Sequence, residues 1–166
     1  VDISKDGMYI ATASDSQTVS IWDLQQGKIF KTYNAHERNI EAIQFLPDCQ
    51  QFITGSHDGF LILWDFIYDK KILTINTGSK INTAAVSPDG TKAASGNINS
   101  TVYIWDLSTG KLIKELKEPR SQIVSVQFSQ DGTLIAGSAD GNVYQYNLDT
   151  YELVAKHPGE KKEQLV

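Results

Sequence analysis

Ser56, His57 and Asp58 stand side by side in the stretch GSHDGFLILWDF (Gly55–Phe66), and these are the three side-chain types of a hydrolase triad. Such a triad needs the three groups to converge, with the histidine between the other two. Consecutive residues of a strand and its turn point to alternate sides, so these three cannot do so. No Gly-x-Ser-x-Gly elbow occurs elsewhere in the chain. The remaining histidines, His36 and His157, show no paired spacing, and there is no cysteine cluster to complete a metal site. The acidic pieces SDSQ and SADG lack the twelve-residue loop of a calcium site and read as hairpin turns. Gly55, Gly96 and Gly137 lie inside strand-like runs, where a small residue suits close packing, and not in a phosphate loop. The expectation is therefore no catalytic residue, no metal and no cofactor, and no enzymatic activity in this segment.

Bulk properties narrow the function classes further. Among 166 residues, 20 Asp and Glu outweigh 15 Lys and Arg, giving a formal net charge of −5. A nucleic-acid binder would normally carry a basic stripe, so no nucleic-acid partner is expected. The single cysteine, Cys49, excludes an internal disulfide and fits a reducing, intracellular compartment, where it reads as an unreactive turn residue. The cytoplasm is the expected location, with nuclear and cytoskeletal placements left open. No apolar run approaches the roughly 18 residues of a membrane span, so no membrane insertion is expected. The opening VDISKDG has neither a methionine nor a signal-peptide pattern, and implies a segment of something longer.

The elements that would carry any site repeat along the chain. IWDLQQGKIF (Ile21–Phe30) recurs as IWDLSTGKLI (Ile104–Ile113). Trp-Asp occurs at 22–23, 64–65 and 105–106, with a degenerate Tyr-Asn at 146–147, in steps of 42, 41 and 41 residues. SKDG, LPDC, SPDG and SQDG keep the same rhythm, as do the small-residue groups ending at Ser14, Ser56, Asn97 and Ser138. Within a unit the apolar period is two: IEAIQF, IVSVQF and TVSIW alternate and are rich in β-branched and aromatic residues. Pro-Asp, Asp-Gly and Gly-Lys punctuate them at turn spacing. Each unit predicts four short antiparallel strands and no amphipathic helix. One such sheet cannot cover both of its faces, whereas stacked copies cover one another.

These marks resemble the WD-repeat (WD-40) β-propellers, with their period of roughly 40–45 residues, four strands per repeat and Trp-Asp signature. The resemblance runs from Val1 to about Lys156. It implies an all-β propeller with blades at about 1–35, 36–77, 78–118 and 119–156, and 157–166 as a polar tail or a lead into a further blade. Four blades in an open arc would leave the first and last uncovered, so a larger ring, about seven-bladed, is expected. A ring closed across two chains is the alternative.

The family's pattern also implies a structural hydrogen-bond network in the second blade. His36 would sit before the first strand, Ser56 would bridge the imidazole to the Trp64 indole, and Asp58 would accept from the ring, leaving His57 pointing outward. The other blades are incomplete: Ser16, Asn99, Thr77, Pro119 and Tyr146 stand where the pattern wants other residues. The resemblance places exposed positions of the partner-binding face at Asp15, Asn39, Glu41, His57, Lys80, Asn82, Ile98 and Gln122, with Val124 and Ala139 beside them and Arg38 and Arg120 as further candidates. Gln25, Ile67 and Ser108 stand where ubiquitin-ligase adaptors of the family usually show Arg, which weakens that role. The function implied is a non-enzymatic scaffold or adaptor that binds proteins or peptides as a subunit of a larger assembly. The alternative is a propeller module of a larger enzyme or regulatory protein whose active segment lies elsewhere.

Overall fold

The computed structural model describes residues 1–159. They form sixteen strands in four antiparallel four-stranded sheets, with no helix among the described residues. The first sheet holds β1 (Asp2–Ile3), β2 (Tyr9–Ala13), β3 (Thr18–Asp23) and β4 (Lys28–Asn34). The second holds β5 (Ile40–Phe45), β6 (Gln51–Ser56), β7 (Phe60–Asp65) and β8 (Lys70–Asn76). The third holds β9 (Ile81–Val86), β10 (Lys92–Asn97), β11 (Val102–Asp106) and β12 (Leu112–Leu116). The fourth holds β13 (Ile123–Phe128), β14 (Thr133–Ser138), β15 (Asn142–Asn147) and β16 (Leu153–Pro158). Strands follow chain order within every sheet, so each connection inside a blade is a hairpin. His157 and Pro158, expected in a tail, instead pair with Val143 and Asn142 as the end of β16. Residues 160–166 of that tail lie outside the described residues.

The turn chemistry repeats with the strands. Left-handed backbone recurs at Gly7, Cys49, Gly90 and Gly132, between the first and second strand of each blade. Glycine adopts that conformation freely, whereas Cys49 holds it at φ 59° with a side chain attached. In three of these turns the serine hydroxyl donates to the aspartate, as Ser87 does to Asp89 at 2.6 Å. That bond, with the Thr91 amide, draws the Asp89 carboxyl down to about 2. The aspartate of each Trp-Asp pair caps the next turn: Asp65 Oδ1 accepts from the Ile67 and Tyr68 amides, and Asp106 Oδ1 from Ser108 and Thr109. Asn147, in the degenerate pair, does the same for Asp149 and Thr150.

The cores lie between sheets. Ala11, Val19 and Ile21 of the first blade pack with Phe45, Phe52, Trp64 and Phe66 of the second. Ile53, Leu61 and Leu63 of the second pack with Ile81, Ala93 and Trp105 of the third. Ala94, Val102 and Ile104 of the third pack with Ile123, Leu134, Tyr144 and Tyr146 of the fourth. Innermost strands stitch neighbours together: Phe45 N donates to Asp2 Oδ2 at 2.7 Å, and Val86 N to Gln44 Oε1 at 2.8 Å. Two faces remain uncovered. On the first blade, Val1, Ile10, Trp22 and Leu24 border an apolar depression. On the fourth, Ile135 and Val143 are each 39% exposed, while their counterparts Ile53 and Leu61 are 0% and 1% exposed. The same repeat position is thus buried wherever a following blade is present.

Candidate functional site

Two constellations carry the polar chemistry of the second blade: a buried network beneath one face, and a depression on that face. In the network, β7 faces β6 with Trp64 opposite Phe52. The indole reaches diagonally to Thr54, two residues along, and its Nε1 donates to Thr54 Oγ1 at 3.0 Å. Thr54 Oγ1 lies 2.7 Å from His36 Nε2, and His36 Nδ1 lies 2.9 Å from Asp58 Oδ2. Asp58 also accepts from the Glu37 and Phe60 amides. Phe52 stacks on the indole at 6.1 Å and Lys71 Nζ sits 4.9 Å from its ring.

The bridging hydroxyl therefore belongs to Thr54 and not to Ser56. Ser56 lies four residues beyond Phe52, roughly 13 Å along the strand, out of reach of the indole. Its hydroxyl instead donates to the Arg38 carbonyl at 3.2 Å and accepts from the Asp58 amide at 3.1 Å, closing the turn. The consecutive Ser56, His57 and Asp58 part company: His57 Nε2 lies 3.5 Å from Glu41 Oε1, while Asp58 turns inward to His36.

The other blades repeat the correction. Trp22 Nε1 donates to Thr12 Oγ1 and Trp105 Nε1 to Ser95 Oγ, each at 3.1 Å. The fourth blade changes both partners at once: Ala136 offers no hydroxyl, and Tyr146 needs none, since its own hydroxyl reaches Glu118 Oε2 at 3.1 Å. There Tyr144 donates to Asp140 at 2.7 Å, filling the role that His36 plays for Asp58. In the third blade Asn97 reaches back to Thr77 Oγ1 at 2.9 Å.

The donors and acceptors of the second-blade network close with a neutral imidazole. Nδ1–H donates to Asp58, Nε2 accepts from the Thr54 hydroxyl, and the Thr54 oxygen accepts from Trp64. Burial lowers His36 below its ordinary value near 6.5, with Asp58 opposing this only in part. Burial raises Asp58, but the Phe60 and Glu37 amides and His36 outweigh it, so that carboxyl is held low. Between the lowered folded value of His36 and about 6.5, the unfolded chain binds a proton that the folded chain does not. The stability this histidine contributes is full above that window and is lost as pH falls through it. We expect the melting temperature of the intact protein to drop between pH 7.5 and pH 5, and His36→Gln to flatten that drop. A His36→Gln protein with undiminished acid sensitivity in a thermal-shift series would refute the assignment.

Above the network, backbone pairing sets the face. His57 N donates to Asn39 O, Ile98 N to Lys80 O and Ala139 N to Gln122 O, at 2.9–3.0 Å. Each hairpin turn is thereby clasped to the residue before the first strand of its blade. His57, Lys80, Asn82, Ile98 and Gln122 consequently border one open depression of about 600 Å³, together with Ser100, Arg120 and Ser121. An adjoining depression shares His57, Lys80 and Ile98 and adds Arg38. Asn82 Nδ2 is engaged with the Ile123 carbonyl at 3.0 Å. Asn39 is half-buried and borders neither depression, Glu41 reaches the face through His57, and Asp15 lies on the corresponding turn of the first blade, apart from both. Ser100 and Ser121 carried no signal in the sequence; only the clasped turns bring them to the rim.

A family model described as "WD domain, G-beta repeat" matches the chain four times, over residues 1–23, 27–65, 69–106 and 110–147. The chain belongs to the WD40 family. Each WD40 match is offset from the sheets by one strand: 27–65 takes in β4 of the first blade and β5 to β7 of the second. The chain is 35% identical over 141 residues to WD repeat-containing protein SL1-17 of Schistosoma mansoni, covering 84% of this chain and 46% of that protein. It is 29% identical to small ribosomal subunit protein RACK1 of Caenorhabditis elegans, covering 84% of this chain and 46% of the relative. It is also 29% identical to transcription initiation factor TFIID subunit 5 of the same organism, covering 87% and 23%. The chain thus spans less than half the length of these relatives. With two blade faces uncovered, the four WD40 blades are part of a larger propeller.

Proposed function

We propose that this WD40 chain is a non-enzymatic interaction module that docks protein partners within a multi-subunit intracellular assembly. The observation carrying this reading is the convergence of His57, Lys80, Asn82, Ile98 and Gln122, from three blades, on one open depression. Ile98 is 40% exposed there, an apolar side chain in a polar rim, which suits a contact with another chain. RACK1 and TFIID subunit 5 are each named as subunits of an assembly, which accords with a docking role. Proteins are favoured over nucleic acid because the chain carries net charge −5. The free thiol of Cys49 accords with a reducing compartment.

Affinity purification of the tagged full-length protein, with and without Ile98→Asp plus Lys80→Glu, tests this reading. Both side chains are exposed, so the melting temperature should stay put while co-purifying proteins fall several-fold. An unchanged set of co-purifying proteins would remove this face from the function.

A further inference from the structure

The same face carries a charge pattern that singles out one kind of partner. Arg38, Lys80 and Arg120 are exposed and stand just before the first strands of three consecutive blades. None of the three forms an ion pair among the described residues, although Lys31 pairs with Asp69 and Lys117 with Glu115. Three acids of this face are engaged with other groups, and Glu37 stands exposed beside Arg38. Asp58 serves His36 and two amides, Glu41 faces His57, and Asp140 accepts from the Arg120 amide, from Asn142 and from Tyr144. A chain of net charge −5 thus gathers along one strip of this face three cations that make no ion pair among the described residues, although Asp58 at the rim and Asp140 keep their charge.

We propose, building on the docking role above, that this strip recognises an extended Asp/Glu-rich segment of a partner protein that also carries an apolar side chain. Carboxylates meet Lys80 and Arg120 on one side and Arg38 on the other, and the apolar side chain rests on Ile98. The cations are spread and do not converge. Arg120 borders one depression, Arg38 the next, and Lys80 and Ile98 border both. A row of single charges matches that spacing, whereas one phosphate dianion needs several donors around one point. A single-stranded nucleic acid needs aromatic platforms for its bases, and no Phe, Tyr or Trp borders either depression. The strip is also held in place before binding. The Lys80 carbonyl accepts from the Ile98 amide and the Arg120 amide donates to Asp140, so little backbone ordering remains to be paid on association.

Fluorescence anisotropy on the full-length protein tests this, using a fluorescein-labelled peptide of repeating Glu-Leu-Asp. The comparison ligands are its Lys-Leu-Lys counterpart, a phosphoserine peptide with its acids replaced by Gln, and oligouridylate. We expect the acidic peptide to bind, the lysine peptide not to, and salt to weaken the complex. Lys80→Glu with Arg120→Glu should cut affinity by at least about tenfold, and Arg38→Glu by less. Ile98→Asp should abolish the preference for the Glu-Leu-Asp peptide over an otherwise identical repeating Glu-Gln-Asp peptide. No binding of the acidic peptide, an affinity indifferent to the double charge reversal, or tighter binding of the phosphoserine peptide or oligouridylate would each overturn the proposal. Should the acidic peptide fail while co-purifying proteins still depend on Ile98 and Lys80, the docking face stands and its acidic specificity falls.

Discussion

Gly96→Ala is expected to lower the unfolding free energy by about 3 kcal/mol, at the upper end of what overpacking costs. A methyl built at Gly96 falls 2.5 Å from Ile123 Cγ2 and 2.7 Å from Thr83 Cγ2. Ile123 belongs to the following blade and is fully buried, and its β-branched side chain is restricted at χ1 and has little room to retreat. The methyl would therefore push the third and fourth blades apart. Gly55 sets the same spacing one blade earlier, where a methyl would lie 2.9 Å from Ile81 Cγ2, so Gly55→Ala should cost less, about 1–2 kcal/mol. The first blade already carries Ala13 at this position, and Ile40 opposite it keeps 7% exposure where Ile81 and Ile123 have none. At Gly137 a methyl meets only Ser125 and Val124 of its own blade, at 3.8 Å. If a further blade lies on that face, Gly137→Ala in the full-length protein should cost about as much as Gly55→Ala. Urea denaturation midpoints decide the series, and a Gly96→Ala protein as stable as the parent would contradict close blade contact at that position.

The period of two within units and of 41–42 between them made the sheets legible, because each strand is half-buried and each hairpin needs a left-handed residue at a fixed place. Which hydroxyl completes the buried network was not legible in the same way. Thr54 and Ser56 lie on the same side of one strand, and both are small and hydroxylated. Only the register, with Trp64 opposite Phe52, shows which one the indole can reach. The paired change in the fourth blade was half visible. Tyr146 stood out as a departure from Trp, but its partner Ala136 meant nothing until the diagonal was known. The cations of the face were visible singly, yet Arg38, Lys80 and Arg120 stand two, one and three places before their strands. That irregular offset hides their common strip until the turns are clasped in three dimensions.

Thr54→Val should separate the two hydroxyls, with an expected loss of about 3 kcal/mol. Valine keeps the shape of threonine, so its fit beside Ile62, its partner on β7, is little disturbed. What disappears is the acceptor for the Trp64 indole N–H and the donor to His36 Nε2, both buried. Each stranded group costs about 1–3 kcal/mol. Ser56→Ala removes a buried hydroxyl whose two partners, the Arg38 carbonyl and the Asp58 amide, belong to residues that are not buried, and should cost about 1 kcal/mol. Thr54→Ser keeps the bridge and loses only a methyl, about 1 kcal/mol. The order Thr54→Val, then Ser56→Ala and Thr54→Ser together, is the readout; a Ser56→Ala loss larger than that of Thr54→Val would refute the network drawn through Thr54. The fourth blade supplies the harder test. Ala136 and Tyr146 coexist there without a stranded N–H, because the phenol has none and its hydroxyl reaches Glu118 instead. Thr54→Ala with Trp64→Tyr should accordingly cost less than the sum of its two single changes, since removing the indole removes the group that Thr54 exists to satisfy.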